Sequence, residues 1–409
     1  MKILMCNSFY YLRGGSERCF FDLTEVLSSH GHEVVPFSML DERNFPTSYS
    51  EYFLSNCDFS SQLGAGGSVV DKLKAVERVI YSREAAHQIK RLIDDTKPDI
   101  AHLHLIAHEI SPSILPVIKL AGIPVVQTLH DYKLLCPNTT FISNGRICEE
   151  CKTHRYYQVV LNRCKRGSWA ASGLAGLEMY AHKAMRLYER YVDTYIVPSR
   201  FLQGKLEEYS VPTPTLHLPN FLYLERFEPC YEPDDYFVYS GRLVAEKGIL
   251  TLIKAMDQVK RSHLFIAGAG DLEDELKTYV KDHELQNVTF LGHLPSDKLI
   301  SLVQKAQFSV MPSEWYENYS MSVIESLACA TPVLGSHIGG IPEQIKDGWN
   351  GLLFDPGNVD QLAEKINYLL DNPQSAIEFG HNGRLQVERT NNPEIYYREI
   401  MSLYESLVA

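Results

Sequence analysis

The sequence predicts an α/β protein built from two doubly wound, parallel-sheet domains that face a cleft. Its length of 409 residues is too great for one ordinary domain and suits two. Short β-rich apolar runs alternate with segments of helical length, a pattern typical of parallel strands covered by helices on both faces. Lastly, the alternation of strands and helices is interrupted by a single proline-rich segment, 211–229, which predicts a linker between the two domains.

The predicted strands follow one another at regular intervals along the chain. They are KILMCN, EVVPFSM, DIAHLHL, PVVQTLH and TYIVPS in the first half, and YFVYSGR, HLFIAGAG, VTFLGHL, FSVMPS and PVLGS in the second. We therefore place one domain at residues 1–215 and the other at 216–387. The end of the chain, 388–409, has the pattern of an amphipathic helix.

Composition and charge exclude several classes of protein. A hydrophobic fraction of 45% and a charged fraction of 22% are those of a soluble globular protein. No apolar run reaches the roughly 20 residues of a membrane helix, and the N-terminus lacks the apolar core of a secretory signal, so we expect a cytoplasmic protein. The net charge of −12 comes from residues 221–409, with 15 basic and 28 acidic side chains, which argues against a nucleic-acid partner.

A basic stripe is predicted on the helical segment 177–192. His182, Lys183, Arg186 and Arg190 recur there at helical spacing. Such a stripe is either an ordinary solvated face or a peripheral contact with the inner face of a membrane that holds a lipid-linked substrate.

The first candidate site lies at the end of the strand YFVYSGR. Gly241 ends this strand, and Arg242 and Lys247 occupy the loop before a helix that begins near Gly248. Two cations beside a helix N-terminus suit a diphosphate, because arginine offers a planar fork and lysine a point charge. The alternative interpretation is two solvated loop cations.

The second candidate site follows the strand FSVMPS. Glu317 lies in the polar loop before a predicted helix, and Asn318, Tyr319 and Ser320 are expected to present free backbone N–H groups to an anion. Glu325 lies further along the helix. Ionised carboxylates only accept hydrogen bonds, so the two are suited to hold sugar hydroxyls. The alternatives are an acid at a helix N-terminus for Glu317 and a surface residue for Glu325.

Two weaker signals lie in the first half. Gly14 and Gly15 follow the first strand and precede a helix, which allows close approach of the backbone to a ligand or simply makes a turn. His130 ends the strand PVVQTLH and is placed to face the cleft, although histidines at such positions are more often structural. No serine-hydrolase, zinc-protease or P-loop motif is present.

Taken in order, these motifs resemble glycosyltransferase family 4, whose members are retaining enzymes of the two-Rossmann GT-B architecture. The resemblance rests on Gly14-Gly15, His130, SGRLVAEKG and the E-x7-E pair Glu317 and Glu325, and the segment 339–358 is also typical of the family. It implies an enzyme that transfers a sugar from a UDP- or GDP-sugar to a saccharide or lipid-linked saccharide in polysaccharide or glycolipid synthesis. It also implies that the helix at 388–409 packs back toward the first domain.

The resemblance further implies roles for individual residues. His130 and Glu317 would lie at the donor sugar, and no metal or other cofactor would be needed for catalysis. The donor would be bound by Gly14, Gly15, Gly241, Arg242, Lys247, Leu294, Asn318, Tyr319, Ser320, Met321 and Glu325. Leu294 would contact the base through its backbone, and Glu325 would bind the ribose hydroxyls.

Four cysteines cluster in a segment that reads as an insertion, about residues 132–168. Cys136, Cys148, Cys151 and Cys164 have the spacing C-x11-C-x2-C-x12-C. In the cytosol this pattern favours a structural zinc site over disulfides, with reduced or redox-active thiols as the alternative.

Two other functions remain open from the sequence. One is a nucleotide-sugar epimerase of the same architecture, which needs further acids and bases at the sugar. The other is a non-catalytic nucleotide-sugar-binding protein, in which Arg242, Lys247, Glu317 and Glu325 would have had no reason to be retained.

Overall fold

The computed structural model describes residues 1–56, 69–259 and 261–409 and divides the chain into two units. The first unit comprises Met1–Leu218 and Tyr396–Ala409, and the second comprises Pro219–Ile395. The sequence had placed the limits at residues 215 and 387.

The first unit contains one parallel sheet and a small hairpin. Its strands are β1 (Lys2–Cys6), β2 (Glu33–Phe37), β3 (Ile100–Leu103), β4 (Val125–Thr128), β5 (Ile142–Ser143), β6 (Arg146–Ile147), β7 (Thr194–Val197) and β8 (Thr215–His217). The sheet has the order β2-β1-β3-β4-β7-β8, and β5 pairs with β6 as a separate antiparallel hairpin. The central strands of the sheet are mostly apolar because both of its faces are covered: Ile3, Leu4 and Met5 of β1 are fully buried.

Helices connect these strands. They are α1 (Gly15–Ser29), α2 (Val69–Tyr81), α3 (Arg83–Thr96), α4 (Ile114–Leu120), α5 (Gln158–Leu161), α6 (Trp169–Met185), α7 (Leu187–Tyr191) and α8 (Arg200–Glu208). Short 3-10 helices occupy Ser50–Tyr52 and Lys152–His154.

The second unit is a second parallel sheet with the strand order of a Rossmann fold. Its strands are β9 (Tyr236–Ser240), β10 (His263–Ala267), β11 (Val288–Gly292), β12 (Ser309–Met311), β13 (Val333–Ser336) and β14 (Gly351–Phe354), in the order β11-β10-β9-β12-β13-β14. Counted within the unit this is 3-2-1-4-5-6, so the order reverses between β9 and β12. Ligands of such sheets bind outside the carboxyl ends of the strands at this switch point.

The helices of the second unit complete the alternation. They are α9 (Ile249–Ala255), α10 (Glu273–Asp282), α11 (Ser296–Gln304), α12 (Met321–Ala328), α13 (Ile341–Gln344), α14 (Val359–Asp371) and α15 (Pro373–Thr390). Short 3-10 helices occupy Leu224–Arg226, Ala245–Lys247 and Met256–Gln258.

The last helix, α16 (Pro393–Val408), confirms the amphipathic helix predicted at the end of the chain. From Tyr396 onward it belongs to the first unit, where Tyr396, Ile400 and Tyr404 are buried. On the same helix the hydroxyl of Tyr397 lies 2.8 Å from Nε2 of His32.

The structure confirms every predicted strand and adds strands that the sequence reading missed. The segment predicted as a linker contains β8, which extends the first sheet. This strand is short and flanked by prolines, which a sheet tolerates only at its edge, where β8 lies. The other missed edge strand is β14, and the missed hairpin β5–β6 lies inside the cysteine-containing segment.

The predicted basic stripe is wrong. Helix α6 ends at Met185, and Arg186 has a left-handed backbone with φ of 51° before α7 begins. The stripe is therefore broken, and His182 is buried with its ring 2.9 Å from the carbonyl oxygen of Ile80. Within the described ranges no helix is both long enough and apolar enough to cross a membrane.

Candidate active site

The switch point of the second unit brings two loops together. One follows β9 and carries Gly241–Lys247; the other follows β12 and runs from Pro312 to Ser320. The backbone N–H of Glu314 donates to the carbonyl oxygen of Glu246 at 2.9 Å, which ties the loops to each other. Both sequence-predicted sites therefore lie at one edge of one sheet.

The centre of this region is a buried ion pair between Lys247 and Glu317. Lys247 Nζ lies 2.6 Å from Glu317 Oε1, and the two side chains are 15% and 7% exposed. The same carboxylate oxygen accepts hydrogen bonds from Ser313 Oγ at 2.6 Å and from Trp315 Nε1 at 2.8 Å. Three donors thus hold one oxygen of the carboxylate in a fixed position.

These donors also set the charge of Glu317. Burial alone raises the pKa of a carboxyl group, but the charge of Lys247 and the hydrogen bonds from Lys247, Ser313 and Trp315 outweigh it and lower the pKa of Glu317. The side chain is therefore an ionised hydrogen-bond acceptor at neutral pH.

Both members of the pair keep capacity for a ligand. In the part of the chain that the structure describes, all hydrogen bonds of the Glu317 carboxylate go to Oε1, which leaves Oε2 to accept from another group. Lys247 uses one of its three N–H donors on Glu317. One side of the pair can therefore accept from hydroxyls, and the other can donate to anionic oxygens.

Two glycines make this close approach of the loops possible. Gly248 has φ of 65°, and a Cβ on it would lie 1.8 Å from the carbonyl oxygen of Pro312. Gly339 has φ of 59°, and a Cβ on it would lie 2.5 Å from the carbonyl oxygen of Glu317. In addition, the N–H of Gly340 donates to that oxygen at 2.7 Å. A side chain at Gly248 or Gly339 would displace the loop that carries Glu317.

Comparison with known families decides the identity of this arrangement. The model named Glycosyltransferase Family 4 matches residues 13–226, more than half of the chain, and the model named Glycosyl transferases group 1 matches residues 224–386. The chain belongs to glycosyltransferase family 4.

Relatives of this family 4 chain agree over nearly its whole length. The glycogen synthase of Mycobacterium tuberculosis is 25% identical over 92% of this chain and 87% of the relative. Sucrose-phosphate synthase from Thermosynechococcus elongatus superimposes with a TM-score of 0.73 and 22% identity, over 99% of this chain and 98% of that one. Anabaena HepE in complex with UDP gives a TM-score of 0.71 with 17% identity, over 99% and 100% of the two chains. Both folds are GT-B, and this chain shares it.

The structure separates the two predicted cations. Lys247 is paired with Glu317, whereas the side chain of Arg242 is 66% exposed and reaches Glu246 only at 4.0 Å. Gly241 lies next to Arg242, and a Cβ on it would meet the hydroxyl oxygen of Tyr239 at 3.0 Å. In this family 4 chain, the solvated-cation interpretation therefore fits Arg242 and does not fit Lys247.

Helix α12, which follows the second loop, begins at Met321, after the three residues whose backbone N–H groups were predicted to face an anion. Ser320 is the N-cap of α12, and its N–H donates to Oε1 of Gln344 at 2.9 Å. The prediction of a free N–H at Ser320 is therefore wrong, because a buried glutamine side chain already occupies it. Asn318 is buried, the Tyr319 hydroxyl accepts from Asn391 Nδ2 at 2.7 Å, and Met321 is the first helical residue.

Glu325 lies in the first turns of the helix, as predicted. It is the fifth residue of α12, and it is half-buried, which does not fit a fully solvated surface residue. Leu294, the predicted contact for the base, follows the end of β11 at Gly292 and is also half-buried. Its role stays a prediction.

The predicted residues of the first unit lie at the carboxyl ends of its strands. Gly14 is the N-cap of α1, Gly15 begins that helix, and both are exposed. His130 lies two residues beyond the end of β4, and its Nε2 is 2.8 Å from Nδ1 of His104. Burial lowers the pKa of His130 to about 4, so the imidazole is neutral at physiological pH.

Sequence reasoning missed three residues that hold the predicted ones. Ser313 and Trp315 bind Glu317, and His104 binds His130. The loop SEWYE offered a signal for Trp315, since an indole in a polar loop carries a donor that needs an acceptor. The sequence HLH at the end of β3 offered one for His104, because residues that alternate along an extended segment share a face.

The four cysteines are all free thiols in the structure. Cys136 and Cys151 are buried, and Cys148 and Cys164 are partly exposed. Burial and the nearby thiols raise the pKa of Cys151 to about 12. Across residues 1–56, 69–259 and 261–409, no three His, Cys, Asp or Glu side chains converge as a metal site requires, and the structural zinc stays a prediction.

Proposed function

We propose that this family 4 protein is a retaining glycosyltransferase that uses a UDP- or GDP-sugar as donor. The acceptor is a saccharide or a lipid-linked saccharide, and the product belongs to a polysaccharide or glycolipid. The reaction takes place in the cytoplasm. UDP is the nucleotide named for the HepE structure that shares the fold, which supports a nucleotide-sugar donor.

The proposal rests on the carboxylate of Glu317, which accepts hydrogen bonds from the described residues through only one of its two oxygens. Oε1 is held by Lys247, Ser313 and Trp315, and Oε2 remains to accept from a sugar hydroxyl. Beside it, Lys247 keeps N–H donors for a diphosphate oxygen. A ligand with hydroxyls next to a diphosphate matches this pair, and a nucleotide sugar is such a ligand.

The chemistry that suits these groups is electrostatic. As the bond from the anomeric carbon to the diphosphate breaks, negative charge grows on the leaving phosphate, and the ammonium of Lys247 stabilises it. Arg242 is exposed and free to turn toward the same charge. Glu317 fixes the sugar through its hydroxyls, which aligns the anomeric carbon with the acceptor. The acceptor hydroxyl bonds to the anomeric carbon on the face from which the diphosphate departs, and the leaving phosphate takes its proton, so the configuration is retained without a protein nucleophile.

The remaining residues have supporting roles in the proposal. Glu325 binds the ribose hydroxyls, and the backbone near Leu294 contacts the base. Gly14, Gly15 and the start of α12 at Met321 approach the diphosphate through their N–H groups. His130 contacts the donor sugar.

The test is a thermal-shift screen with a panel of UDP- and GDP-sugars, followed by an assay of nucleoside diphosphate release. We expect one donor to raise Tm, and Lys247→Ala and Glu325→Ala to weaken its binding by roughly ten- to a hundredfold, as for loss of a charge-assisted hydrogen bond. Lys277→Ala is the matched control, because it removes a lysine from the exposed face of α10. Equal shifts in the wild type and both site variants would exclude the proposed donor site.

The release assay separates the three functions. A glycosyltransferase releases nucleoside diphosphate faster when a saccharide acceptor is added. An epimerase changes the sugar of the donor without any acceptor. A binding protein gives the thermal shift and no release.

A further inference from the structure

Three histidines of the first unit form a stack beside the end of β4. His102 lies on β3 and His104 just beyond it, and β4 is the neighbouring parallel strand. The ring centroids of His102 and His104 are 4.6 Å apart, and those of His104 and His130 are 5.1 Å apart, with nearly parallel planes. His104 Nδ1 and His130 Nε2 are 2.8 Å apart, so one proton lies between them.

The position of this proton depends on the other nitrogen of His104. If His130 donates, the proton of neutral His104 must lie on Nε2. That atom is buried and has no hydrogen-bond partner in the described part of the chain. The ring of Phe20 lies nearly perpendicular to that of His104 with the two centroids 5.2 Å apart, and an aromatic ring is only a weak acceptor.

The opposite arrangement is less costly. If His104 donates from Nδ1, its Nε2 is a buried lone pair rather than a buried orphan N–H, and native structures tolerate unsatisfied acceptors better than unsatisfied donors. His130 then accepts at Nε2 and carries its own proton at Nδ1. Burial keeps both rings neutral, because it lowers the pKa of each.

We propose that His104 is a positioning residue that fixes the tautomer of His130, so that His130 presents a neutral Nδ1–H donor to an oxygen of the donor sugar. The inference rests on the proposed function for the identity of that oxygen. Nδ1 of His130 has no partner among residues 1–56, 69–259 and 261–409, and the side chain is not fully buried, so the donor is available to a ligand. His130 is accordingly a hydrogen-bond donor and not a general base.

The other side of the stack is held by the C-terminal helix. Tyr404 of α16 is fully buried, and its hydroxyl lies 2.5 Å from His102 Nδ1. His102 Nε2 lies 2.7 Å from Thr128 Oγ1, so both nitrogens of His102 are occupied. His102 therefore supports the plane of His104 and takes no part in the proton between His104 and His130.

The direct test is ¹⁵N NMR of the full-length protein with labelled histidine, since the two nitrogens of a neutral imidazole have distinct shifts with and without a proton. The His130 signals are assigned by their loss in His130→Asn. We expect a protonated Nδ1 and an unprotonated Nε2 at neutral pH. The reverse pattern in the wild type would overturn the proposal, and this readout needs no variant of His104.

Matched variants test the consequence. Asparagine can place an amide donor where Nδ1 of histidine lies, whereas leucine has a similar shape and no donor. We expect His104→Asn to keep the Nδ1–H form of His130 and His104→Leu to lose it, with kcat/KM for nucleoside diphosphate release reduced roughly ten- to a hundredfold in the leucine variant. If His104→Asn and His104→Leu both keep the Nδ1–H form of His130, the role proposed for His104 is wrong.

A second pair tests His130 itself. We expect His130→Asn, which keeps a donor at the Nδ1 position, to lose less than about tenfold in kcat/KM, and His130→Gln, whose amide reaches the Nε2 position, to lose roughly a hundredfold. Equal loss in both variants would contradict the donor role. If no nucleotide sugar is turned over while the NMR shows the Nδ1–H form, the proposed function fails and the tautomer assignment stands.

Discussion

At the residue scale, the site depends on pairs whose members determine each other's charge. Glu317 is ionised although it is buried, because Lys247, Ser313 and Trp315 hold one of its oxygens. The sequence could predict that Lys247 and Glu317 lie at the same edge of a sheet, since both follow strands of the same domain. It could not predict their 2.6 Å contact, which depends on the path of two loops.

The buried pair predicts a non-additive effect of substitution. Lys247→Met leaves Glu317 as a buried charge without its cation, and we expect a loss of about 3–5 kcal/mol in the free energy of unfolding. Adding Glu317→Gln removes the stranded charge, so the double variant should be more stable than Lys247→Met alone. Chemical denaturation of the wild type, both single variants and the double variant measures the coupling. If the double variant is no more stable than Lys247→Met, the unpaired charge of Glu317 is not the cause of the lost stability.

At the element scale, periodicity and composition predict the interior strands and the edge strands β2 and β11, and they miss the edge strands β8 and β14. The largely buried runs, such as β1 and β9, carry a continuous apolar signal. Of the two missed strands, β8 has three half-buried residues and no continuous apolar run, whereas β14 is apolar but only four residues long. The interruption of the helix at Arg186 could not be predicted from the sequence either, because the neighbouring residues all favour a helix.

The loop that precedes α9 predicts a strict requirement for glycine. In Gly248→Ala the new Cβ meets the Pro312 carbonyl oxygen at 1.8 Å in a backbone with φ of 65°. Gly348 has φ of 71° with nothing within 4 Å, so Gly348→Ala carries the conformational strain alone. We expect Gly348→Ala to cost about 1–2 kcal/mol and Gly248→Ala to cost about 3 kcal/mol or more. Thermal melts of both variants measure the difference, and equal costs would show that the overlap with Pro312 relaxes freely.

At the scale of the whole molecule, the two units differ in how their buried groups respond to acid. The first unit buries His102 and His104 and partly buries His130, and the loss of solvent lowers the pKa of each, to about 3 for His102 and about 4 for His130. In the second unit the pKa of Glu317 is lowered, so protonation of this carboxyl group reduces the stability of the fold. A carboxyl group takes up its proton in more acidic solution than a histidine does, so this loss begins at a lower pH. Sequence analysis identified only His130 among these, and it could not predict that Tyr404 of α16, from the far end of the chain, contacts His102.

This difference predicts that the first unit loses stability before the second as the pH falls. Between about pH 6.5 and pH 4 the unfolded chain binds protons at these histidines and the folded unit does not, so stability falls with pH by roughly 1.4 kcal/mol per pH unit for each histidine. Hydrogen exchange, corrected for the intrinsic rate, follows β1, β3 and β4 separately from β9 and β12. His104→Asn removes one titrating group, and its pH slope for the first sheet should be lower by about that amount. Protection of the first sheet that stays constant from pH 6.5 to pH 4 would show that these histidines are protonated in the folded chain.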